Sequence, residues 1–243
     1  MTDFTDAVRA AVSLILGLDA HLAEIVALSL QVSLTAMAAA SLIGLALGAT
    51  LAVLRFPGRR LALVVLNAMM GLPPVVVGLI VYLLLSRAGP FGVLGLLYTP
   101  TAMVIAQTIL IAPIVAALSR QTLEDLLLEY DEHLRSLGAG RWATVTTLLW
   151  DGRFSLLTAV LAGFGRASAE VGAVMIVGGN IDHVTRVMTT AIALEVSKGD
   201  LALALGLGIV LIGLALLVNG GAWVLNDLAR QGAEGGLRRP SRR

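Results

Sequence analysis

The sequence predicts an all-α polytopic membrane protein with five transmembrane helices and one long polar loop on the cytoplasmic side. The chain of 243 residues is 58% apolar and only 14% charged, which is not the composition of an ordinary soluble domain. Its apolar residues also form blocks longer than the roughly 20 residues that a helix needs to cross a bilayer. We predict helices because a chain in lipid must satisfy its own backbone hydrogen bonds, as helices and closed barrels do.

The five apolar blocks define the domain organisation. The first is the clearest, since residues 25–54 carry no charged side chain and are long enough to cross with some tilt. The spans are predicted at about 25–54, 61–86, 99–119, 154–177 and 201–226. Residues 1–24 precede them as an amphipathic segment on the outer surface, and residues 227–243 follow as a basic, disordered tail that meets anionic lipid.

Basic residues are unevenly divided between the two sides of such a bundle. The three connections on one side, which include the loop 120–153 and the tail 227–243, contain twelve basic residues, and the three on the other side contain four. The positive-inside rule therefore predicts that the N-terminus lies outside and the C-terminus in the cytoplasm. The net charge of +1 gives no indication of nucleic acid as a partner.

Proline interrupts two of the predicted spans. The second span contains Pro73 and Pro74, and the third contains Pro113. Because proline removes an intrahelical hydrogen bond and clashes with the preceding turn, we expect kinks at both places. Packing geometry and a role in gating both remain open explanations, since proline is common in membrane helices.

The fourth span contains two charges among small residues. Arg166 and Glu170 are four residues apart, which places them on one face of a continuous helix. Charged side chains at membrane depth usually face the protein interior or a water-filled path. Three interpretations are open: an ion pair that fixes this helix to a neighbour, a pair that lines a water-filled path near its outer gate, or an anion site built on Arg166.

The connection between the last two spans has a helical pattern of its own. Residues 185–197 are predicted to form a short helix that ends at Lys198 and Gly199. Such an outer loop is suited to receive a soluble partner or to act as a re-entrant lid.

The cytoplasmic loop 120–153 is the most polar part of the chain. Its residues 124–135 include five carboxylates, and its apolar residues recur at helical spacing. That stripe consists of Leu123, Leu126, Leu127, Tyr130, Leu134 and Leu137. We predict one or two short amphipathic helices at the cytoplasmic surface, ended by Gly138 and Gly140. The loop is longer than the topology requires, which favours a docking surface for a partner over a solvated connector.

The residues from Glu132 to Gly138, EHLRSLG, resemble the EAA motif of permease subunits of ABC importers, in which Glu-Ala-Ala and three further residues precede a glycine. His133 and Leu134 replace the two alanines, and Asp151 stands where the family usually has a proline. The resemblance extends over about residues 25–225 and is most specific in GFGRASAEVGAVMIVGGNIDHVTRVMTTAIALEVSKGD. It is a resemblance to the oxyanion branch of these permeases, most of all to tungstate permeases and next to molybdate permeases.

This resemblance implies the fold of a type I ABC importer permease, with five helices per subunit and a homodimer of subunits. It implies two copies of a cytoplasmic ABC ATPase and an external oxyanion-binding protein as partners, in the inner membrane of a bacterial or archaeal cell, and no cofactor on this chain. The residues implied to couple to the ATPase are Glu132, His133, Leu134, Arg135, Leu137, Gly138 and Arg141. Candidates for the translocation path or its gate are Pro73, Pro74, Arg166 and Glu170.

The sequence offers no ATP site or catalytic constellation of its own. A P-loop needs a lysine after a glycine-rich turn, and the only lysine, Lys198, stands on the predicted outer side. His21, His133 and His183 are scattered among loops, and each is most simply a solvated side chain, although His183 beside Asp182 could touch the delivered anion or its carrier. No metal-ligand spacing is present. We therefore expect a pore subunit and not an enzyme.

Three alternatives stay open. The transported anion could be molybdate or another tetrahedral oxyanion such as sulfate, since nothing in a five-helix permease visibly measures anion radius. An intramembrane enzyme would need a nucleophile and base or a metal cluster at membrane depth, where only Arg166 and Glu170 are ionisable. A structural membrane subunit would not need the polar loop. Co-purification of a P-loop ATPase would distinguish a transporter subunit from the other two classes.

Overall fold

A computed structural model describes residues 8–9, 12–13, 17 and 19–237, and for 222–223 and 225–237 it describes the backbone alone. Nine α-helices lie in the region 19–237, with one short 3-10 turn at Gly92–Leu94. The helices are α1 (Ala20–Val53), α2 (Arg59–Met70), α3 (Pro74–Leu85), α4 (Pro100–Ser136), α5 (Arg141–Asp151), α6 (Arg153–Ser168), α7 (Gly172–Gly178), α8 (Met188–Lys198) and α9 (Leu201–Leu237).

Length and composition make three of these helices long enough to cross a membrane. They are α1, α4 and the part of α9 from Leu201 to Gly221, and the number rises to five if each of two bent helix pairs counts as one span. The bent pairs are α2 with α3, at 101°, and α5 with α6, at 72°. The predicted all-α polytopic class is therefore confirmed. Most of the predicted outer segment 1–24 lies outside the described residues, and Ala20–Glu24 already belongs to α1.

The centre of the bundle is formed by α1 packed along α4. Small residues recur every fourth position on the buried face of α1, at Ala36, Ala40, Gly44 and Gly48. A Cβ atom on Gly44 would lie 2.8 Å from the Cβ of Val115, and one on Gly48 would lie 2.8 Å from a backbone oxygen of α4. The two backbones therefore approach as closely as small residues allow, which is the usual way to pack helices in lipid.

The predicted second span is two helices and not one. α2 ends at Met70 and α3 begins at Pro74, and their axes differ by 101°. Pro73 has an extended backbone, as expected for a residue that precedes a proline. The kink predicted at Pro73 and Pro74 is thus a full corner. By contrast, α4 continues through Pro113 as one helix, so the kink expected there does not interrupt it.

The predicted fourth span is also broken. α6 ends at Ser168 and α7 begins at Gly172, so Glu170 lies in the short segment between them. The placement of Arg166 and Glu170 on one continuous helix was wrong for this reason. The close approach expected from the small residues does occur at Gly163, where a Cβ would lie 2.7 Å from the Cγ2 of Ile111 on α4.

The third span and the polar loop are continuous. α4 has 37 residues and is about 55 Å long, so the first amphipathic helix predicted after residue 119 is its extension and not a separate surface helix. α5 begins only after Gly140, beyond the glycines at which the predicted helices end, so it was not predicted. The apolar stripe of α4 packs at Leu123 against Ala49 and Ala52 of α1 and Leu148 of α5. α9 likewise runs to Leu237, past the predicted end of the last span at 226.

The bundle has two distinct ends. At one end, the C-terminal half of α1 meets the α4 extension, α5 and the turn at Gly138, and we call this the Gly138 end. At the other, Leu22 and Ile25 of α1 pack on α8 and α9 next to the loop that contains His183, and we call this the His183 end. The helix predicted at 185–197 is present there as α8, and Gly199 ends it with φ +84°.

Candidate functional site

The turn after α4 is built by hydrogen bonds of a Schellman motif. The amide of Gly138 donates to the carbonyl of Arg135 at 3.0 Å, and the amide of Ala139 donates to that of Leu134 at 2.9 Å. Gly138 has φ +67°, the left-handed conformation that this motif requires and that glycine adopts without cost. The chain therefore leaves α4 abruptly and starts α5 three residues later, at Arg141.

The residues predicted to couple to an ATPase surround this turn, and all of them except Leu134, which packs inward, are exposed. Leu134 is half-buried, and the others are exposed: Glu132, His133, Arg135, Leu137, Gly138 and Arg141. Leu137 is 82% exposed, which is unusual for a leucine at the tip of an otherwise polar turn. Arg135 is held by two contacts to Asp131, one turn earlier, at 2.8 and 2.9 Å. The structure thus brings the whole predicted set together on one protruding surface.

α5 follows the turn and packs against α4. Its Thr144 and Leu148 are buried and face α4, whereas Trp142 and Trp150 are 84% and 69% exposed. At the corner with α6, the guanidinium of Arg153 lies 4.7 Å from the centre of the Trp150 ring and donates to the Trp150 carbonyl at 2.6 Å. Such cation–π contacts stabilise the corner between α5 and α6.

A charge network joins three helices at the same end. Glu124 of α4 accepts from Arg120 of α4 and from Arg59 at the start of α2. The Nε of Arg59 also donates to the carbonyl of Leu51, near the end of α1, at 2.8 Å. Sequence reasoning missed this network because Arg59 and Glu124 are 65 residues apart. It ties the short connection between α1 and α2 to the base of the α4 extension.

The two charges at membrane depth form an ion pair across the helix break. Arg166 Nη1 lies 2.9 Å from Glu170 Oε2, and the Glu170 side chain is 4% exposed against 36% for Arg166. The other carboxylate oxygen of Glu170 accepts from the amide of Ala173 at 3.1 Å, at the start of α7. Thr189 donates to the Glu170 carbonyl at 2.8 Å. Glu170 is therefore fully engaged, which fits the ion-pair interpretation and leaves Arg166 half-exposed.

The corner at Pro73 and Pro74 lies against this break. A Cβ on Gly172 would lie 3.0 Å from a methyl carbon of Val75 and 3.7 Å from the Glu170 carboxylate. One turn further along α3, a Cβ on Gly78 would lie 2.8 Å from the Cα of Ala173. The four candidate path residues therefore belong to one neighbourhood, where two interrupted spans meet.

A small cavity with a mainly apolar lining and a few polar groups lies beside the break. It measures about 20 Å³ and is lined among others by Ser33, Gln107, Ser168 and Thr189. Gln107 donates to the Ala167 carbonyl at 3.2 Å, and its buried side-chain oxygen has no partner. A cavity of this size holds about one water molecule, which would satisfy that oxygen, but it is too small for a tetrahedral oxyanion.

The His183 end contains a cluster that the sequence did not predict. His183 Nδ1 lies 2.7 Å from Glu24 Oε2, and the rings of His21 and His183 are 5.5 Å apart, edge to face. The hydrogen bond to Glu24, with the charges of Glu24 and Asp182, raises the pKa of His183 above its usual value. The prediction that His21 and His183 are scattered was wrong, because the fold brings together residues 162 positions apart, although the His183 side chain is 66% exposed as expected for a solvated histidine.

Comparison with known proteins gives a match over most of the chain. A model of the binding-protein-dependent transport system inner membrane component matches residues 40–228. The tungstate uptake system permease protein TupB of Peptoclostridium acidaminophilum is 40% identical over 219 residues, which cover 90% of this chain and 96% of that protein. TupB of Campylobacter jejuni is 40% identical over 164 residues, 68% of this chain and 69% of that protein. The sulfate transport system permease protein CysW of Synechocystis is 32% identical over 174 residues, 67% of this chain and 62% of that protein.

Proposed function

The chain belongs to the family of inner membrane components of binding-protein-dependent transport systems, and from that premise we propose that it is the permease subunit of an ATP-driven tungstate importer. The family has the type I ABC permease fold, and its members are not themselves catalytic. The proposal rests above all on the 40% identity to a tungstate uptake permease along 90% of the chain. The lower identity to the sulfate permease, 32%, favours tungstate over sulfate.

The turn at Gly138 is the proposed contact with a separate ATPase subunit. Its support is the combination of an exposed Leu137, a fixed Arg135 and a sharp Schellman turn at the tip of a helix that extends far from the apolar spans. An apolar side chain ringed by polar ones is the usual composition of the centre of a protein interface. Two ATPase chains, one per permease subunit of a homodimer, would each receive one such turn.

The distribution of arginine supports an orientation with the Gly138 end in the cytoplasm. Seven arginines of the described chain lie at that end, namely Arg55, Arg59, Arg60, Arg120, Arg135, Arg141 and Arg153. By the positive-inside rule this end is cytoplasmic. The His183 end would then face outward, where an oxyanion-binding protein delivers its ligand.

The interrupted spans are the proposed moving parts. Closure of an ATPase dimer would draw the two turns together, and α4, α5 and α6 would carry that displacement into the bundle. The contact of α3 with α7, where both spans are broken, is the place in this chain where helices can shift without stretching a continuous helix. The described residues of one subunit enclose no cavity of anion size beside Arg166 and Gln107. In this proposal the anion passes between two subunits and binds weakly there, as release requires.

The test is the tungsten content of cells. We expect cells that lack this gene to lose tungsten accumulation at trace tungstate with excess sulfate, and a plasmid copy to restore it. Mass spectrometry would count tungsten and molybdenum in the same samples. A loss of molybdenum with unchanged tungsten would overturn the assignment in favour of molybdate. Unchanged contents of both metals would overturn the proposal of oxyanion import by this chain.

A further inference from the structure

Three potential metal ligands converge at the His183 end. One ligand atom each of His21, Glu24 and His183 can be chosen so that all three lie within 4.8 Å of one another. Two of these residues come from the first two turns of α1 and the third from the loop between α7 and α8. The cluster lies at the opposite end of the bundle from the turn at Gly138, and the proposed transport function does not use it.

The start of α1 fixes the positions of two of the proposed ligands, His21 and Glu24. The Asp19 carboxylate accepts from the amide of Leu22 at 2.9 Å and caps the helix, which fixes the orientation of the turn. His21 and Glu24 are three residues apart, so both side chains project on the same side of the helix. The His21 side chain is 34% exposed and the Glu24 side chain is 46% exposed.

The loop 179–187 holds the third ligand in place. Thr185 is fully buried, donates to the Gly178 carbonyl at 2.6 Å and accepts from the Ile181 amide at 2.9 Å. His183 itself has φ +57°, a conformation that is strained for a residue with a side chain and that tends to occur at functional sites. The loop therefore presents the His183 ring to α1 as part of an ordered structure.

A carboxylate stands behind the two imidazoles. Asp182 Oδ1 lies 3.7 Å from His21 Nε2 and 2.8 Å from Arg186 Nη1, and Asp182 Oδ2 lies 4.0 Å from His183 Nε2. In metal sites a carboxylate often accepts from the ring nitrogen that does not bind the ion, which fixes the ring and raises its basicity; Asp182 is close to both rings but beyond hydrogen-bond distance of either. Arg186 anchors Asp182 in that position and is itself largely buried, with 13% of its side chain exposed.

We propose that His21, Glu24 and His183 bind a divalent transition-metal ion of the zinc class on the outer face of the permease. Two imidazoles and one carboxylate, with a fourth position open to water or to a partner, form a common ligand set for zinc. Imidazole ligands disfavour magnesium and calcium, which prefer oxygen. The ion would cross-link the start of α1 to the loop 179–187 and thereby stiffen the outer surface of the bundle.

Zinc binding to the full-length chain in lipid nanodiscs tests this proposal. The chain should carry a purification tag without histidine, and ZnCl₂ would be titrated by calorimetry in a buffer free of phosphate and chelators. We expect one site per chain with micromolar affinity. His21→Ala and His183→Ala should each weaken it by about 100-fold, since even second-sphere partners of metal ligands are worth about 10- to 100-fold.

The chain supplies its own control. His133, the only other histidine, is exposed at the Gly138 end, so His133→Ala should bind zinc like the wild type. The absence of cysteine removes the other common source of unspecific zinc binding. The melting temperature and elution volume without metal should agree among all five proteins, the double variant His21→Ala/His183→Ala included, which shows that each variant is folded.

Cobalt gives an independent readout of geometry. Co²⁺ in a four-coordinate site absorbs strongly in the visible region, and this absorption should be present in the wild type and His133→Ala and absent from His21→Ala/His183→Ala. The proposal is overturned if the wild type binds no zinc, if the double variant binds zinc as tightly as the wild type, or if His133→Ala loses binding to the same extent. None of these outcomes depends on which anion the permease transports.

Discussion

Two glycines with positive φ allow the backbone cost of a substitution to be distinguished from the loss of a contact with a partner. Gly138 has φ +67° and Gly58, at the start of α2, has φ +89°. A Cβ on either would meet no atom within 4 Å, so a larger side chain at both positions pays only the backbone cost of about 1–2 kcal/mol. Both are exposed at the Gly138 end. They differ in that only Gly138 lies at the tip of the proposed coupling surface.

We expect Gly138→Leu to abolish tungstate-dependent ATP hydrolysis and uptake while leaving membrane insertion intact. Gly58→Leu has the same backbone cost and should retain uptake, and Gly138→Asn should retain most of it because asparagine tolerates the left-handed conformation. ATPase activity in reconstituted vesicles and tungsten accumulation in cells are the measurements. Normal uptake by Gly138→Leu would show that this turn does not couple to an ATPase.

The Arg166–Glu170 pair illustrates how a buried carboxylate depends on one partner. Glu170 is almost fully buried and accepts one further hydrogen bond, from the Ala173 amide. Removing Arg166 would leave a buried charge without its counterion, which is more costly than removing both charges. Glutamine at 170 would still accept from Ala173 without carrying a charge.

The stability of these variants should therefore be non-additive. We expect Arg166→Leu to lower the stability of the purified subunit by about 3 kcal/mol and Arg166→Leu/Glu170→Gln to recover most of the loss. Thermal unfolding followed by tryptophan fluorescence would give the three melting temperatures. Equal destabilisation by the single and the double variant would show that the ion pair with Arg166 does not stabilise Glu170 in the segment between α6 and α7.

At the level of elements, the packing of α3 on α7 depends on the absence of a side chain. A Cβ on Gly78 would lie 2.8 Å from the Cα of Ala173, and a backbone atom cannot rotate away as a flexible side chain can. The two short helices follow the two breaks in the spans, so their contact holds both corners together. This contact belongs to the core that also includes Val77, Val81 and Val174.

Gly78→Ala should separate α3 from α7 and destabilise the subunit by about 1–3 kcal/mol, the usual cost of overpacking. The matched control is Gly208→Ala in α9, where a Cβ meets no atom within 4 Å. That substitution should be neutral or stabilise by up to about 1 kcal/mol, because alanine favours helix over glycine. Melting temperatures that fall equally in both variants would contradict the close packing of α3 and α7.

The α4 extension is the element that connects the bundle to the proposed coupling turn. Its inner side packs on α1 and α5, and Glu124 binds Arg59 and Arg120 at its base. The extension is thus fixed at its base by charges and along its length by apolar contacts. Because the extension is held in this way, a displacement of the turn would be passed on to the helices that contact it.

For the whole molecule, the decisive question is which end faces the cytoplasm. The structure separates the Gly138 end from the His183 end, and each presents a very exposed residue. Leu137 is 82% exposed at the first, and Val93, in the 3-10 turn between α3 and α4, is 99% exposed at the second. The natural chain has no cysteine. Labelling of a single introduced cysteine therefore reports the accessibility of that position alone.

In intact cells that express this subunit without an ATPase, we expect Val93→Cys to react with a membrane-impermeant maleimide and Leu137→Cys to react only after the membrane is permeabilised. Gel-shift detection of the labelled chain is sufficient, and both sites are highly exposed within the chain itself. The reverse pattern would place the Gly138 end outside and would rule out its contact with a cytoplasmic ATPase.

The sequence alone was sufficient for the class and the family. Long apolar blocks require membrane helices because lipid offers no hydrogen bonds to a bare backbone, and the small-residue and EHLRSLG patterns are local enough to be recognised. The corner at Pro73 and Pro74 and the end of α8 at Gly199 were also predictable, because proline and glycine act on their own backbone. The periodic stripe at Leu123 to Leu137 correctly indicated a helix.

Only the tertiary structure determined how far helices continue and which distant residues meet. α4 continues past residue 119 because Leu123 finds apolar partners on α1 and α5, a stabilisation that local propensity cannot reveal. Glu170 sits in a break because its carboxylate both pairs with Arg166 and caps α7. His21 and His183 converge because the loop 179–187 folds back onto the first turn of α1. Spacing along the chain carries no signal for such contacts, since packing of distant segments creates them.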